Sequence, residues 1–379
     1  MLGVVLEYYG STSEVPWLFL LTSWIAAVIV VSFAYASWNR RGLRLYLRVG
    51  GSRPGPGSPV ESLPDQVMRG APLPAPIFEG DAMELDLGLD TDGAARGPAK
   101  VSGTAGAREL SAATGVVPRT GWRHRVELEG LRRGPVGARS WVVESSDLVG
   151  FFRSRRSSPD AELALVLPRF ASLTRRPEVH ELEASLAAPR AGSGTELVGV
   201  REYRPGDSRR RIHWRSSARH GELVVREYEP PGVHTLGIFC DPNPAGPEAA
   251  DQVARLAASE AWDCIREGGR VMLWAPGLEP SRPNEARSLW ALLEWLARYP
   301  FTSPPRGEGG AQRREGVAEF DHPPAVSEAV AVTGSANPDL VDALETVRRR
   351  GGAIRAWVVG DADLDVDAPV QHVGTVWPL

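Results

Sequence analysis

An uncharged apolar run from Trp17 to Trp38 constrains this chain more than any other feature of its sequence. As an α-helix it would measure about 33 Å, which matches a bilayer hydrocarbon core of roughly 30 Å. Trp17 at one end, and Tyr35 with Trp38 at the other, suit the aromatic belts of the two membrane interfaces. The run therefore predicts a transmembrane helix at 17–38, preceded by a short segment at 1–16.

A cleaved signal peptide is the alternative for the same run, since Ala34-Tyr35-Ala36 offers a small-x-small cleavage site. The residues ahead of the run include Glu7 and Glu14 but no Lys or Arg, and the run is longer than a usual signal core. A retained membrane helix is therefore favoured.

Positive charge follows the helix immediately, at Arg40, Arg41, Arg44 and Arg48. The positive-inside rule then predicts a single-pass protein of the plasma (inner) membrane whose carboxyl-terminal domains are cytoplasmic. The two cysteines, Cys240 and Cys264, stand in apolar surroundings and are predicted to be buried, unpaired thiols.

The remaining chain is long enough for two folded domains, because it has 379 residues of which 42% are apolar. Residues 39–76 are basic and then rich in Pro and Gly, which predicts a juxtamembrane linker acting as a semi-stiff spacer. Short alternating runs at 77–168 predict a small antiparallel β-sandwich. After a connector at 169–230, strands and helices alternate at 231–379, with a long, mobile loop at 300–327.

The fold class predicted from this order is α+β multidomain. A transmembrane helix comes first, then the small antiparallel sandwich, then a doubly wound α/β domain with a parallel sheet covered on both faces. Ligands of such sheets bind beyond the carboxyl ends of the strands, where Asp241, Thr333 and Asp361 stand in this sequence.

The stretch from Arg201 to Pro230 packs eight arginines around one Pro-Gly-Asp turn and one tryptophan. Lys100 is the only lysine, so an abundance of arginine is partly compositional and is weak evidence for phosphate or carboxylate recognition. The pattern predicts a strand at 198–204, a turn with Asp207 capping a short helix, and a returning strand at 222–229.

Three interpretations of this stretch stay open. The arginines and Trp214 lock two domains together, or Arg209, Arg211 and Arg215 form a docking patch for an acidic protein partner, or the stretch binds nucleic acid. A net charge of −4 and few interleaved aromatic residues disfavour nucleic acid. The motif and interaction residues are Arg201, Glu202, Tyr203, Gly206, Asp207, Arg209, Arg210, Arg211, Trp214, Arg215 and Arg219.

The sequence GTELVGVREYRPGDSRRRIHWRSSARHGELVVREYE at 194–229 closely resembles the defining motif of the bacterial and archaeal DUF58 proteins, the domain of unknown function 58. A second similarity lies at 131–153, where an Arg-Arg-Gly segment precedes a Ser-Asp-x-x-Gly-Phe turn. The resemblance implies a β-domain, a von Willebrand factor A-like domain, and association with a MoxR-type AAA+ ATPase in the assembly or maturation of other complexes. It implies no established catalytic activity.

A von Willebrand A-like domain with a working metal site carries Asp-x-Ser-x-Ser after its first strand, because a carboxylate and two hydroxyls suit Mg²⁺. The corresponding residues here read Asp241-Pro-Asn243-Pro-Ala245, and Thr333 could supply a further ligand. The sequence therefore predicts a degenerate site (Asp241, Asn243, Thr333) in which a structural loop is favoured over Mg²⁺ binding. Since no catalytic motif is recognisable, a scaffold rather than an enzyme is predicted, and a metal-dependent site at Asp241 is the enzyme alternative.

Overall fold

The structure is a computed structural model of the chain. It describes Tyr8 and residues 16–72, 75–147, 149–173, 197–202, 224–228, 235–276, 289–300, 323–324 and 326–377. The fold divides into two compact units, Met1–Leu167 and Pro168–Leu379. The sequence predicts that the β-domain ends at residue 168.

The first unit begins with helix α1, Pro16–Arg41, which contains the predicted apolar run and extends it at its carboxyl end. In the described part of the chain it is the one helix long and apolar enough to cross a membrane. Strand β1, Leu43–Arg53, follows after Gly42 alone. The prediction of a linker at 39–76 is therefore wrong for its first part, because Leu43, Leu45, Leu47 and Val49 alternate with polar residues and pair with the sheet.

The rest of the predicted linker also contains ordered elements. A 3-10 helix spans Pro59–Glu61 and the short helix α2 spans Asp65–Met68. Asp81 holds this segment, since its carboxylate accepts hydrogen bonds from the Gly55 amide at 2.9 Å and the Ser58 hydroxyl at 3.3 Å. The segment is thus part of the folded unit rather than a spacer.

Two sheets make up the first unit. One has the order β1-β3-β6, and the other has the order β2-β9-β7-β4-β5 with β8 paired to β7. All pairs are antiparallel except β2 with β9. The strands are β2 Ile77–Phe78, β3 Ala82–Thr91, β4 Ala99–Ala105, β5 Arg108–Thr114, β6 Trp122–Leu128, β7 Gly134–Ser146, β8 Arg153–Ser157 and β9 Ala161–Leu167.

The two sheets contribute to one apolar core. Alternate residues of β3, from Met83 to Leu89, are fully buried and belong to the same cluster as Val101 of β4 and Trp141 of β7. Their period of two is the pattern expected for strands with one buried face. The alternation predicted from the sequence is seen in the burial of β3 and β7, whereas β6 and β9 are strands at the predicted places without alternating burial.

The second unit contains a five-stranded, all-parallel sheet with the order β13-β12-β14-β15-β16. Its strands are β12 Thr235–Cys240, β13 Arg270–Trp274, β14 Glu328–Thr333, β15 Ala353–Val359 and β16 Val370–Val373. The first four lie where the sequence predicts buried strands. The fifth, β16, was not predicted.

The helices described in this unit are α3 Pro247–Arg266, α4 Leu289–Arg298 and α5 Pro338–Arg349. Helix α5 begins with Pro338 after Asn337, whose side chain accepts from the Asp339 and Leu340 amides and so caps the helix. Its apolar face packs on Ala331 and Ala356, whereas Glu260 of α3 contacts Arg355, the residue before Ala356 in β15. Because successive strand residues point to opposite faces, α3 and α5 cover opposite faces of the sheet.

A two-stranded antiparallel pair, β10 Leu197–Glu202 with β11 Val224–Tyr228, precedes the parallel sheet in sequence. These strands agree with the two predicted on either side of the Pro-Gly-Asp turn. The predicted loop at 300–327 lies mostly outside the described residues.

Candidate functional site

The carboxyl edge of the parallel sheet is centred on Asp241, directly after β12. Its side chain is fully buried and its carboxylate is bonded to donors of the same chain. Oδ1 accepts from the Asn243 amide at 2.9 Å. Oδ2 accepts from the Thr333 hydroxyl at 3.0 Å, the Gly334 amide at 3.1 Å and the Ser335 hydroxyl at 2.6 Å. The carboxylate thereby ties the end of β12 to the end of β14.

The structure thus brings together two of the three residues of the predicted degenerate site. Asp241 and Thr333 are in direct contact, as their places at adjacent strand ends require. Asn243 contributes its backbone amide, and its side chain is exposed. Ser335 was missed by the sequence analysis, although its position two residues after Thr333, in a Thr-Gly-Ser turn, could have indicated it.

The Asp241 carboxylate already has hydrogen-bond donors from the protein at both of its oxygens. A carboxylate and two hydroxyls are oxygen ligands that Mg²⁺ accepts, but a cation needs their lone pairs, and three donors already surround Oδ2. Among the described residues there is no group of three or more His, Cys, Asp or Glu side chains that could hold a metal ion. The arrangement fits a structural role for Asp241 better than an inner-sphere metal site.

Calorimetric titration tests this interpretation directly. We expect no heat of binding when Mg²⁺ or Mn²⁺ is added to the purified full chain, because a cation would have to displace the donors around Asp241. Addition of the chelator EDTA should likewise leave the melting temperature unchanged. A saturable heat that Asp241→Asn removes would contradict the structural role.

A buried ionic network lies under helix α3. Arg355 of β15 makes two parallel bonds to Glu260, at 2.5 and 2.8 Å, and its Nε donates to Glu328 at 3.2 Å. The Trp357 indole also donates to Glu260, at 2.6 Å. The exposed fraction of the side chain is 11% for Arg355 and 5% for Glu260. Burial lowers the pKa of Arg355, but the charges and hydrogen bonds of Glu260 and Glu328 outweigh it and raise that pKa on balance.

Both cysteines are buried and neither forms a disulfide, as the sequence predicts. Burial raises the pKa of the Cys264 thiol to about 12, and the carboxylates of Glu328, Glu267 and Glu260 act in the same direction. Because the thiolate is the nucleophile and the metal ligand, a raised pKa disfavours such chemistry. Burial and the raised pKa together favour a packing role for Cys264.

The carboxyl end of α1 is locked to the β-sheets by Asn39. This side chain is fully buried. Its Oδ1 accepts from the Gly97 amide at 2.8 Å, and its Nδ2 donates to the carbonyl oxygens of Ser146 at 3.3 Å and Pro98 at 3.5 Å. A single helical residue thus connects to β7 and to the residues that lead into β4.

Arg96 forms the second half of this joint. Its guanidinium lies over the Trp38 ring, 3.6 Å from the centroid, donates to the Trp38 carbonyl at 2.8 Å, and pairs with Asp92 at 2.5 Å. The pKa of Asp92 is lowered by its hydrogen bond to Arg96. Close packing completes the joint, because a Cβ on Gly97 would lie 2.5 Å from the Tyr35 hydroxyl. Helix and sheets meet without a flexible connection.

The turn between β7 and β8 reaches along the same helix. Asp147 is buried, and its carboxylate accepts from the Phe152 amide at 2.8 Å and the Val149 amide at 3.2 Å. Burial raises the pKa of Asp147, but these amides and a hydrogen bond from Ser32 of α1 outweigh it, so that the pKa is lowered. Phe152 also packs edge-on against Phe33 of α1, with ring centroids 5.6 Å apart.

An apolar groove runs between this turn and the helix. Its volume is about 340 Å³, and it is lined by α1 residues from Trp24 to Tyr35 together with Asp147 and Val149. Among the described lining residues, Trp24, Ser32, Tyr35 and Asp147 carry polar groups, and Ser32 and Asp147 already bond to each other. The groove therefore offers an apolar surface beside the candidate membrane helix.

The Arg-rich motif is described at its two ends only. Arg201 and Glu202 belong to β10, and Glu202 pairs with Val224 of β11. The chain thus leaves and re-enters the same strand pair. The other motif residues lie outside the described residues, and their assigned role stays a prediction. They are Tyr203, Gly206, Asp207, Arg209, Arg210, Arg211, Trp214, Arg215 and Arg219.

Comparison with known protein families places part of the chain. The model of the family described as "Protein of unknown function DUF58" matches residues 199–363. The match runs from β10 to the residues after β15 and includes both the Arg-rich motif and Asp241. No curated protein matches the chain at significant similarity. The resemblance drawn from the motif residues is thereby confirmed at the level of the family.

Proposed function

Because the chain belongs to the DUF58 family, we propose that it is a membrane-anchored scaffold whose folded units are cytoplasmic and bind other proteins. In this proposal α1 is the anchor, the two sheets of the first unit form a β-sandwich, and the parallel sheet of the second unit is a doubly wound, von Willebrand A-like domain. The partner implied by the family resemblance is a MoxR-type AAA+ ATPase, acting in assembly or maturation of a protein complex.

One observation carries the anchoring part of the proposal, namely the joint made by Asn39 and Arg96. Cleavage after Ala36 would remove residues that belong to the fold, because Ala36 is buried and Tyr35 packs on Gly97. Closer to its amino end, α1 has exposed apolar side chains. Leu20, Trp24 and Val31 are exposed by 73%, 67% and 65%. A lipid environment covers such side chains, which supports a helix that stays in the membrane.

The orientation follows from charge. Arg40, Arg41, Arg44 and Arg48 are all exposed at the end of α1 that carries the folded unit. Cytoplasmic flanks of membrane helices are enriched in such residues, and each contributes about 1 kcal/mol of attraction to an anionic leaflet. The inner face of the plasma membrane satisfies both conditions.

The scaffold part rests on two features of the second unit. Asp241, at the sheet edge where ligands of α/β domains bind, is occupied by hydrogen bonds within the chain. The Arg-rich motif, in contrast, is a set of cations with a strand at each end. Guanidinium groups suit an acidic protein surface, so we assign partner binding to Arg209, Arg211 and Arg215.

Charge reversal tests the docking role. After cross-linking in cells and purification from detergent-solubilised membranes, the wild-type chain should carry an AAA+ ATPase that mass spectrometry identifies. The double variant Arg209→Glu, Arg211→Glu should lose it to background, because two attractive charges become repulsive. Its melting temperature should stay at the wild-type value.

The matched control reverses two exposed arginines of the first unit, Arg119→Glu with Arg123→Glu, and changes the net charge equally. It should retain the ATPase. A large fall in melting temperature for the motif variant would favour the interdomain lock instead. An eluate without ATPase from wild type and control alike would remove the assigned partner.

A further inference from the structure

The turn at Asp147–Phe152 carries an apolar tip that its own unit does not cover. Val149 is exposed by 61% and Phe151 by 63%. Neither is needed to close the turn, because the Asp147 carboxylate does so through the Val149 and Phe152 amides. A turn that presents two large apolar side chains outward is a feature of surfaces that meet an apolar partner.

The neighbour of this tip is α1 rather than another soluble surface. Ser32 bonds to Asp147, Phe33 packs on Phe152, and Val149 lines the groove with helix residues as far up as Trp24. The exposed side of the helix at the same level is apolar too, since Val31 and Phe33 are exposed by 65% and 60%. Tip and helix form one continuous apolar surface.

The position along α1 at which the turn contacts the helix indicates how deep the turn would lie in a bilayer. Ser32 precedes Trp38 by six residues, which is about 9 Å along a helix. Trp38 is the aromatic residue placed at the membrane interface, and interfacial elements bury their apolar faces roughly 5–10 Å below that boundary. If α1 spans the bilayer, the tip reaches the acyl-chain region.

Strand β8, which follows the turn, carries several positively charged side chains. Arg153, Arg155 and Arg156 are exposed. Arg155 pairs with Glu144 at 2.6 Å. Phospholipid phosphates are the natural partners of exposed arginines just below an inserted apolar tip. The apolar tip and the arginines that follow it therefore match the acyl-chain layer and the headgroup layer of a bilayer.

We propose that the turn at Asp147–Phe152 is a second membrane contact, in which Val149 and Phe151 insert into the bilayer beside α1, lipid fills the groove, and Arg153 and Arg156 contact phospholipid headgroups. The inference rests on the proposed anchoring by α1. The occupant is lipid, and the unit is held to the membrane at two points rather than one.

Lipid quenching in the full chain tests the contact. Single cysteines are introduced at Phe151, at Leu20 of α1, and at Ala107, an exposed residue beyond the end of β4 that lies away from the joint. Each variant is labelled with an environment-sensitive fluorophore and reconstituted in vesicles of phosphatidylcholine and phosphatidylglycerol containing acyl-chain spin-labelled lipid. Cys240 and Cys264 are buried, so the wild-type chain serves as the labelling blank.

We expect a blue shift and a loss of fluorescence at residue 151 comparable with those at residue 20, and neither at residue 107. Adding Arg153→Glu and Arg156→Glu should reduce the quenching at residue 151 and leave that at residue 20 unchanged. Substitution at residue 151 leaves the core intact because the side chain is exposed, and circular dichroism of each variant confirms the fold.

The outcomes separate the two proposals. Quenching at residue 20 without quenching at 151 overturns the second contact and keeps the anchor. Absence of quenching at residue 20 overturns the anchor and the second contact together. A blue shift at 151 without lipid quenching means that protein covers the tip, a second copy or another helix, and overturns the assignment to lipid.

Discussion

Replacing Glu260 by Gln should cost the second unit about 3–5 kcal/mol of stability, the largest effect that we expect from any single change. The substitution keeps the size of the side chain but removes the charge that makes two bonds to Arg355. The guanidinium then remains buried with Glu328 alone, at 3.2 Å. Thermal melting of the detergent-solubilised chain should show a fall of roughly 10 °C for the second unit.

Glu345→Gln is the matched control for this substitution. Glu345 pairs with Arg349 on the surface of α5, where the two side chains are exposed by 41% and 71%. Exposed pairs contribute about 0–1 kcal/mol, so the control should melt close to wild type. Equal melting of the two variants would contradict the role assigned to Glu260. Replacing both members, Glu260→Leu with Arg355→Met, should recover part of the loss, because the buried guanidinium is removed together with its main counter-ion. The recovery stays partial, since Glu328 loses its bond to Arg355 and the Trp357 indole loses its acceptor.

Asp241→Asn should destabilise the same unit by about 3 kcal/mol. Asparagine keeps one acceptor oxygen but turns an NH₂ group toward donors that now lack a partner. Either the Thr333 and Ser335 hydroxyls or the Asn243 amide must lose a hydrogen bond. Hydrogen exchange offers a residue-level measurement, in which the Gly334 amide, 3.1 Å from Oδ2, should exchange faster in the variant.

Asp361→Asn provides the comparison, since Asp361 follows β15 at the same edge and its side chain is exposed. It should change neither the melting temperature nor the exchange of Gly334. If Asp241→Asn were as stable as wild type, the hydrogen-bonded network would not hold the strand ends. A role for Asp241 in binding would then have to be reconsidered.

The α/β elements could be predicted from sequence because buried parallel strands are short, uniformly apolar runs. The segment at 234–240 reads HTLGIFC, and the structure forms β12 there with five of its six residues buried. Helix α5 also has residues that favour the start and end of a helix, with Asn337-Pro338 at its start and arginines at its end. In these elements local sequence and tertiary burial agree.

Strand β1 shows where local signals compete. The run LRLYLRV alternates apolar and polar residues, as a half-buried strand does, but its arginines directly follow the membrane helix. Exposed positive charge and β-alternation occur together in this run, because Leu43 is buried while Arg44 and Arg48 are exposed. The charge of the run favours a linker, but its alternation of apolar and polar residues is what forms the strand.

Other features depend on contacts between distant residues and leave no local trace. Glu260 and Arg355 are 95 residues apart, and Ser335 reaches Asp241 across 94. Asn39 is an ordinary polar residue at the end of an apolar helix until β4 and β7 are placed around it. Such positions become recognisable only when the topology is known.

Because a single residue separates α1 from β1, we expect the helix and the sheets of the first unit to move together as a rigid body. A domain on a flexible tether keeps its orientation when its anchor leans, but a domain locked by Asn39 and Arg96 leans with it. Membrane helices tilt by about 20° on average, and the far end of β4 lies roughly 24 Å from the joint. A tilt of this size displaces that end by on the order of 8 Å. If α1 spans the membrane, bilayer thickness would thus influence the helix tilt and, through it, the position of the far end of the first unit.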